Sequence, residues 1–310
     1  MYARKIGEVW EALAPAKLNL YLDVLGRRDD GFHELETLLA PIRLYDRLEW
    51  RPAADSAAPF SLSYDLAVSA RVAELAPPDE RNLVWRAIEL LAESAGCRPH
   101  GAFTLTKRIP IQAGLGGGSS DAAAALVLAN AAWGVEYSNS QLSDLAAQLG
   151  SDVPFFLAGQ SAVCRGRGER VEPLAAMPRL DLVVVAPRAG VSTAAAFQKL
   201  DAPHWKPAAS ATAEAPSERL SHLLEVWRRG AVNGAAQLMT NSLQGVAIQL
   251  CPVLERIGTL FARLGCHAHQ LTGSGSAYFG VMRSARHARR AASILSSANL
   301  GTVFATATCR

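Results

Sequence analysis

The sequence predicts an α+β protein in two lobes, and three observations carry that expectation. In "AKLNLYLDVLG" (16–26), Leu18, Leu20 and Leu22 face one way and Lys17, Asn19, Tyr21 and Asp23 the other. A period of two marks a half-buried strand. In "PIQAGLGGGSSDAAAAL" (110–126), a glycine-rich turn runs from a strand-like stretch straight into an alanine-rich helix. After Leu180 the pattern changes: the apolar "LDLVVVAP" (180–187) opens a second run of strands and helices. The lobes therefore divide near residue 178, into 1–178 and 179–310, with no internal repeat of fixed period.

The elements follow in order. "RRDDGFHELET" (27–37) reads as a turn, and "RLEWRP" (47–52) and "FSLSYDL" (60–66) as strands. "NLVWRAIELLAESAG" (82–96) is a helix stopped at Gly96, and "GAFTLTKRIP" (101–110) is the strand entering the glycine turn. In "SDAAAALVLANAAWG", Ser119, Ser120 and Asp121 are good N-cap types and Gly134 is the stop. "SNSQLSDLAAQLG" (138–150) is capped within Ser138–Ser140 and stopped at Gly150, and "SDVPFFLAG" gives a short helical start. In the second lobe "STAAAFQKL" is helical, while "DAPHWKPAASATAEAPS" (201–217) is a Pro, Ala and Ser-rich surface excursion. "ERLSHLLEVWRRG" and "CPVLERIGTLFARLG" are helices. "AHQLTGSGSAYFGVM" is strand, glycine turn, strand; "ARHARRAASILSSA" is a helix, and "GTVFATATC" the last strand.

Composition narrows the function classes. With 50% hydrophobic and 19% charged residues, the chain has the make-up of a globular protein with a sizeable core. A net charge of +3 spread along the chain builds no nucleic-acid face, so Arg27, Arg28 and the Arg165–Arg170 cluster read as local features. The five cysteines are scattered and contain no C-x-x-C, which argues against a disulfide framework and for a reducing compartment. Cys266-His267-Ala268-His269 has no second Cys/His pair at zinc spacing, so no metal site is expected there. The N-terminus lacks the apolar segment of a signal peptide. The apolar run at Ala122–Ala132 is shorter than the ~20 residues of a membrane span. The expectation is a cytoplasmic protein with no nucleic-acid or membrane partner.

The glycine turn carries the chemistry. A P-loop needs G-x-x-x-x-G-K-[ST], and no lysine follows these glycines. A Rossmann turn needs G-x-G-x-x-G/A, but Ser119 stands at the last position. The protein-kinase lysine strand and H-R-D signature are also missing. What remains is a glycine arch feeding a helix N-terminus, whose open N–H groups and positive dipole end favour a polyphosphate. Ser119 and Ser120 can add hydroxyl donors or touch a phosphate-bound Mg²⁺. A turn that merely packs a helix close to a sheet is the competing reading.

"PIQAGLGGGSSDAA" resembles the second motif of the GHMP kinases, and its triple-glycine form the branch acting on 4-diphosphocytidyl-2-C-methyl-D-erythritol. "APAKLNLYLDVLGRRDDGFHELETL" (14–38) is similar to that branch's P-A-K-[IL]-N-L and D-G-[YF]-H signature. "LGSDVPFFLAG" (149–159) resembles its G-S-D-[VI]-P-F-F segment, and "LTGSGSAYFG" (271–280) the third GHMP motif. The motifs span most of the chain in the expected order. The resemblance implies a two-lobed GHMP kinase fold, with a ribosomal protein S5 domain 2-like N-terminal lobe and a ferredoxin-like C-terminal lobe.

It implies ATP-dependent phosphorylation of the 2-hydroxyl of that alcohol, in the non-mevalonate route to isoprenoid precursors. ATP would lie on Pro110, Ile111, Gln112, Ala113, Gly114, Leu115, Gly116, Gly117, Gly118, Ser119 and Ser120. Mg²⁺ would arrive with the nucleotide, without a dedicated protein cage. Asp152 would take or orient the proton of the acceptor hydroxyl, and Lys17 would stabilise the transferring charge. The residues alone read Asp152 as a helix cap and Lys17 as a solvated lysine; the joint match to the family sets those readings aside. Phe32 and His33 would hold the cytosine with Phe197 closing on it, and Asn19 would bind substrate. Gly273 and Ser274 belong to a turn that either approaches the acceptor or only closes a hairpin.

The partner is then a small molecule carrying cytidine diphosphate, and the protein a monomer or weak homodimer. Where the family often carries N-D-[LF]-E, this chain has Asn241-Ser242-Leu243-Gln244. Two rivals stay open: a sugar, homoserine or mevalonate-type GHMP kinase, and a non-catalytic nucleotide-binding homologue. The second would have lost Lys17 or Asp152, and both are present.

Overall fold

The computed structural model describes residues 1–53, 58–65, 70–175, 177–201 and 216–309. The chain forms two compact units that interleave in sequence: residues 1–16, 44–111 and 116–159 in one, and 17–43, 112–115 and 160–310 in the other. Two 19-residue strands, β2 (Val9–Arg27) and β3 (His33–Arg51), contribute to both.

The first unit joins β1 (Ala3–Ile6) to the start of β2, with Ala3 opposite Ala12. The end of β3 pairs antiparallel with β5 (Ala102–Thr106), and β4 (Ser61–Tyr64) pairs parallel with β5. Its helices are α1 (Ala70–Leu75), α2 (Leu83–Ala95), α3 (Gly117–Trp133), α4 (Asn139–Leu149) and α5 (Val153–Ala158). In α2 the buried positions Val84, Ala87, Ile88, Leu91 and Ala92 follow helical spacing, the single apolar stripe of a surface helix. In α3, Ala122–Ala125, Leu126, Leu128 and Ala129 are fully buried. A helix apolar on every side belongs inside, and alanine lets its neighbours come close.

The second unit pairs the start of β3 with β6 (Ala162–Gly166), and β6 with β7 (Arg170–Pro173). Its other sheet is antiparallel, with order β11-β8-β10-β9, from β8 (Asp181–Ala186), β9 (Ala268–Leu271), β10 (Tyr278–Met282) and β11 (Thr302–Ala307). Spatial order 4-1-3-2 for four strands is the ferredoxin-like arrangement. The helices are α6 (Thr193–Leu200), α7 (Pro216–Arg228), α8 (Val232–Gln237), α9 (Gln244–Leu250), α10 (Val253–Arg263) and α11 (Ala285–Ser297). Val183, Val185, Leu254, Ile257, Phe261, Leu271 and Leu295 form its core.

Several sequence expectations change. β3 begins at His33, so the turn after β2 is shorter than 27–37. Ser119, Ser120 and Asp121 do not cap α3: its N-cap is Gly116 at φ +70°, and they lie inside the helix. β1, β6, β7, α1, α8 and α9 were not legible, being four to seven residues long. The second face of β2 is not solvated either: Lys17, Asn19 and Tyr21 are as buried as Leu18 and Leu20. Residues 202–215 of the Pro, Ala and Ser-rich excursion lie outside the described residues. No helix among the described residues is long and apolar enough to cross a membrane.

The arginine clusters are ion-paired within the second unit. Arg165 meets Glu36 at 3.0 Å and Glu172 at 2.8 Å, and Arg28 and Arg170 both reach Glu34 at 2.6 Å. His267 and His269 take separate partners, Asn233 and the Tyr278 hydroxyl. Among the described residues no three His, Cys, Asp or Glu side chains are grouped to hold a metal.

Candidate active site

The polar face of β2 is the starting point. Lys17 and Asn19 are each only 4% exposed, so neither is a solvated surface residue. The Lys17 ammonium donates to Asn19 Oδ1 at 2.6 Å. Asn19 Oδ1 also accepts from the Thr272 hydroxyl at 3.1 Å, while its Nδ2 donates to Thr37 Oγ1 at 2.9 Å. The Asn19 N–H donates to Thr272 Oγ1, and Thr37 Oγ1 donates to the Tyr21 carbonyl. Every polar atom of the Asn19 side chain is thus committed, and its oxygen is held toward the ammonium. Next along the face, burial and then the Asp23 carboxylate push the Tyr21 phenol well above its ordinary pKa.

The first half of the glycine loop is tied to the same place. The Lys17 N–H donates to the Leu115 carbonyl, and the Ala277 N–H to the Ala113 carbonyl, both at 2.9 Å. Gly114 has φ +76°, and a Cβ there would lie 2.3 Å from the Thr272 carbonyl oxygen. A Cβ on Gly273 would lie 3.4 Å from the Lys17 ammonium. Lys17, Asn19, Gly114, Thr272 and Gly273 are therefore brought together. The third-motif turn both closes the β9–β10 hairpin and packs on the loop. Ser274, also in that turn, bonds the Thr193 hydroxyl at 2.8 Å.

The second half of the loop opens α3. No side chain caps this helix, so its first-turn N–H groups keep their unmet donor capacity. Gly118 is exposed, whereas Ser120 is fully buried with its hydroxyl lacking any hydrogen-bond partner. Asp152 takes the N-cap position of α5 without a side-chain capping bond; helix capping is not what this carboxylate does.

The three aromatic candidates separate. His33 stacks on Phe197 at 4.6 Å and 24°, with Nε2 2.8 Å from Asp201 Oδ1. Phe32 is 52% exposed and carries the Arg167 guanidinium on its ring at 4.7 Å. His33 and Phe197 therefore meet each other, while Phe32 sits outside that stack.

Comparison with known proteins shows the family of the chain. Residues 82–160 match the GHMP kinases N terminal domain and residues 223–300 the GHMP kinases C terminal domain. A 4-diphosphocytidyl-2-C-methyl-D-erythritol kinase of Pelotomaculum thermopropionicum is 41% identical over 281 residues, covering 91% of this chain and 92% of that protein. The Thermus thermophilus enzyme of the same description is 40% identical, covering 92% of each chain. A crystal structure of a 4-(cytidine 5'-diphospho)-2C-methyl-D-erythritol kinase superposes with TM-score 0.76 at 38% identity, over 97% of this chain and 99% of that one. The chain belongs to the 4-diphosphocytidyl-2-C-methyl-D-erythritol kinase family of the GHMP kinases. A homoserine kinase from Cytophaga hutchinsonii, 18% identical with TM-score 0.74, shows the fold alone. The fold is accordingly the two-lobed α+β fold of the GHMP kinases.

For a GHMP kinase chain, sequence reading missed the residues that orient the named ones. Thr272 lies inside the quoted third motif, yet nothing local says that its hydroxyl serves Asn19. Gln270 Nε2 donates to the carbonyls of Asn19 and Leu20, from 251 and 250 residues away. The Asn241–Gln244 departure from the family pattern has a structural account. Asn241 Nδ2 donates to the Leu271 and Gly273 carbonyls at 3.0 and 2.9 Å, and Gln244 Oε1 accepts the Leu271 N–H at 2.8 Å. Ser242 donates its hydroxyl to Asp23, where an aspartate would set two carboxylates face to face.

Proposed function

We propose that this chain transfers the γ-phosphoryl group of ATP to the 2-hydroxyl of 4-diphosphocytidyl-2-C-methyl-D-erythritol, giving the 2-phosphate and ADP. This serves the non-mevalonate (methylerythritol phosphate) route to isoprenoid precursors. The observation that carries it is the family match along nine-tenths of the chain, with Lys17 held beside the start of the glycine loop by Asn19 and Thr272.

Phosphoryl transfer asks a protein for positioning and for stabilisation of charge on the moving group. Lys17 supplies positive charge, and its ordered ammonium supports that role. Asp152 orients the acceptor hydroxyl and takes its proton; its place in the Gly150-Ser151-Asp152-Val153-Pro154-Phe155-Phe156 segment supports that role. ATP lies along Pro110–Ser120, the open N–H groups at the start of α3 taking phosphate oxygens as helix N-termini do. Mg²⁺, when bound, neutralises charge on the β and γ phosphates. Ser119 and Ser120 would be the nearby protein oxygens, a donor set that suits an ion which keeps most of its waters. The buried, unpartnered Ser120 hydroxyl fits that arrangement.

On the acceptor side, the stacked His33–Phe197 pair presents an aromatic face to the cytosine, with Asn19, Gly273 and Ser274 toward the rest of the substrate. Phe32 serves as an outer aromatic wall rather than a partner in the stack. The division into lobes 1–178 and 179–310, cytoplasmic residence, and a monomer or weak homodimer complete the reading.

ADP release with ATP and Mg²⁺ tests it, using the full substrate and the same alcohol diphosphate lacking cytidine. Turnover confined to the cytidylated substrate and abolished in Asp152→Ala is expected. Turnover on mevalonate, homoserine or a sugar instead would overturn the assigned acceptor.

A further inference from the structure

Beneath the start of α3 lies a buried ionic cluster that the chemistry above does not use. Asp46 on β3, Lys107 just after β5 and Asp121 on α3 have side chains 0%, 5% and 4% exposed. The Lys107 ammonium bonds Asp121 Oδ2 at 2.6 Å and also bonds Asp46 Oδ2. Asp46 Oδ1 accepts the backbone N–H groups of Arg108 and of Ile109, the latter at 2.8 Å. Burial alone would lower the Lys107 pKa, but the Asp121 and Asp46 carboxylates reverse this and hold it above its ordinary value. The lysine is a charged link between the two acids.

The positions of these residues in the chain give the cluster its meaning. Residues 107–109 enter the glycine loop, and Asp121 is the first residue past Ser120. One ammonium therefore ties the entry of the loop to its exit, while Asp46 fixes the entry to the sheet. The tie runs close under the loop's end: a Cβ on Gly117 would lie 3.3 Å from Lys107 Nζ and 3.0 Å from Ile109 Cγ2. Packing does not demand ions here, since apolar side chains of similar size fill a core at least as well. A loop rich in glycine gains most from fixed ends, because it has the most conformational freedom to lose when it binds.

We infer that Lys107, held between Asp46 and Asp121, is a positioning residue that staples the two ends of the nucleotide loop and so sets its affinity for the ATP polyphosphate. This rests on the reading of Pro110–Ser120 as the ATP loop. It gives Asp121 a function that its place in an apolar helix would not suggest. Asp121 Oδ1, buried and without a hydrogen-bond partner, marks a residue kept for one tie rather than for general satisfaction of the core.

The test cuts the exit tie and leaves the Lys107–Asp46 pair in place. Asp121→Ala removes an unsatisfied buried oxygen and adds a strong helix former, so a variant that folds is expected. In Asp121→Ala, Kd for ATP by calorimetry should rise at least tenfold, and amide hydrogen exchange across 110–120 should quicken. At saturating ATP, kcat should stay within threefold of the parent. Asp121→Asn, which keeps an oxygen for Lys107, should restore both affinity and slow exchange.

ATP affinity within twofold of the parent in Asp121→Ala would overturn the staple. So would weakened affinity with unchanged exchange across 110–120. Should Asp121→Ala melt far below the parent, Asp121→Asn decides alone: parental exchange and affinity support the tie, and loss of either overturns it. Failure of the parent itself to bind ATP would overturn the nucleotide reading, and the exchange comparison would still report whether the loop ends are tied.

Discussion

Replacing Gly114 and Gly118 separately by alanine distinguishes two reasons for the run of glycines. Gly114 sits at φ +76°, and an added Cβ would lie 2.3 Å from the Thr272 carbonyl oxygen and 3.0 Å from that of Gly275. These are backbone atoms, which cannot rotate away. Holding alanine in the left-handed region costs about 1–2 kcal/mol, and overpacking adds about 1–3 kcal/mol. The sum, about 2–5 kcal/mol, corresponds to a fall in Tm of about 3–8 °C for a chain of 310 residues. Gly118 is different: among the described residues, the atom an added Cβ would meet beyond its own helix backbone is Leu83 Cδ1 at 3.8 Å, an ordinary contact. Alanine at this second residue of α3 would gain up to about 1 kcal/mol of helix preference. Gly118→Ala should therefore melt at or slightly above the parent, yet raise KM for ATP roughly tenfold, because a methyl group displaces the phosphate from the helix N-terminus. Thermal melts followed by initial rates against ATP make the comparison. An unchanged Tm in Gly114→Ala would refute the packing argument. Parental KM in Gly118→Ala would refute close phosphate approach as the reason for that glycine.

Other expectations follow from the same geometry. Asp152→Asn should lower kcat by about 10²–10⁴ with little change in KM for ATP, as loss of proton acceptance does; a loss confined to KM would refute the role. Ser242→Asp should destabilise the protein by about 1–3 kcal/mol at pH 7, by setting a second carboxylate against Asp23. Gln244→Glu should be nearly neutral, since it keeps the oxygen that accepts the Leu271 N–H; chemical denaturation reads both. Burial lowers the His269 pKa, so the folded state holds the ring neutral. That contribution is fully present above the unfolded-state value near 6.5 and is lost as pH falls through the lower folded value. The Tm drop between pH 7.5 and 5.5 should therefore shrink in His269→Gln, and an equal drop in both proteins would refute this.

What the sequence revealed was local. Alternation in residues 16–26 placed Lys17 and Asn19 on one face, and the glycine run announced a special turn, because both signals lie in contiguous residues. Local signals also misled. Ser119, Ser120 and Asp121 are cap-forming types, but the chain enters α3 through the left-handed Gly116, which needs no side chain. Alternation gave a half-buried strand with a polar second face; both faces of β2 are buried over residues 18–22, and period two says nothing about what covers the second face. The Lys107 staple joins residues 61 and 14 positions apart, and no window of sequence contains it. His33 and Phe197, in stretches far apart in the chain, were paired through family resemblance; their direct stacking, with Phe32 outside it, came only from the structure.

The depth of Thr272 changes how the third motif should be understood. Its side chain is fully buried and its hydroxyl is already committed to protein partners. The hydroxyl accepts from the Asn19 N–H and donates to Asn19 Oδ1, and the carbonyl of the same residue packs on Gly114. Asn241, in turn, holds the carbonyls on either side of Thr272, those of Leu271 and Gly273. Removing any one of these groups would leave a buried polar atom unpaired, at about 1–3 kcal/mol each. The cost would appear first as freedom of the Asn19 amide and of the ammonium it orients. In the proposed site Thr272 thus acts at one remove, through the direction in which Asn19 faces Lys17.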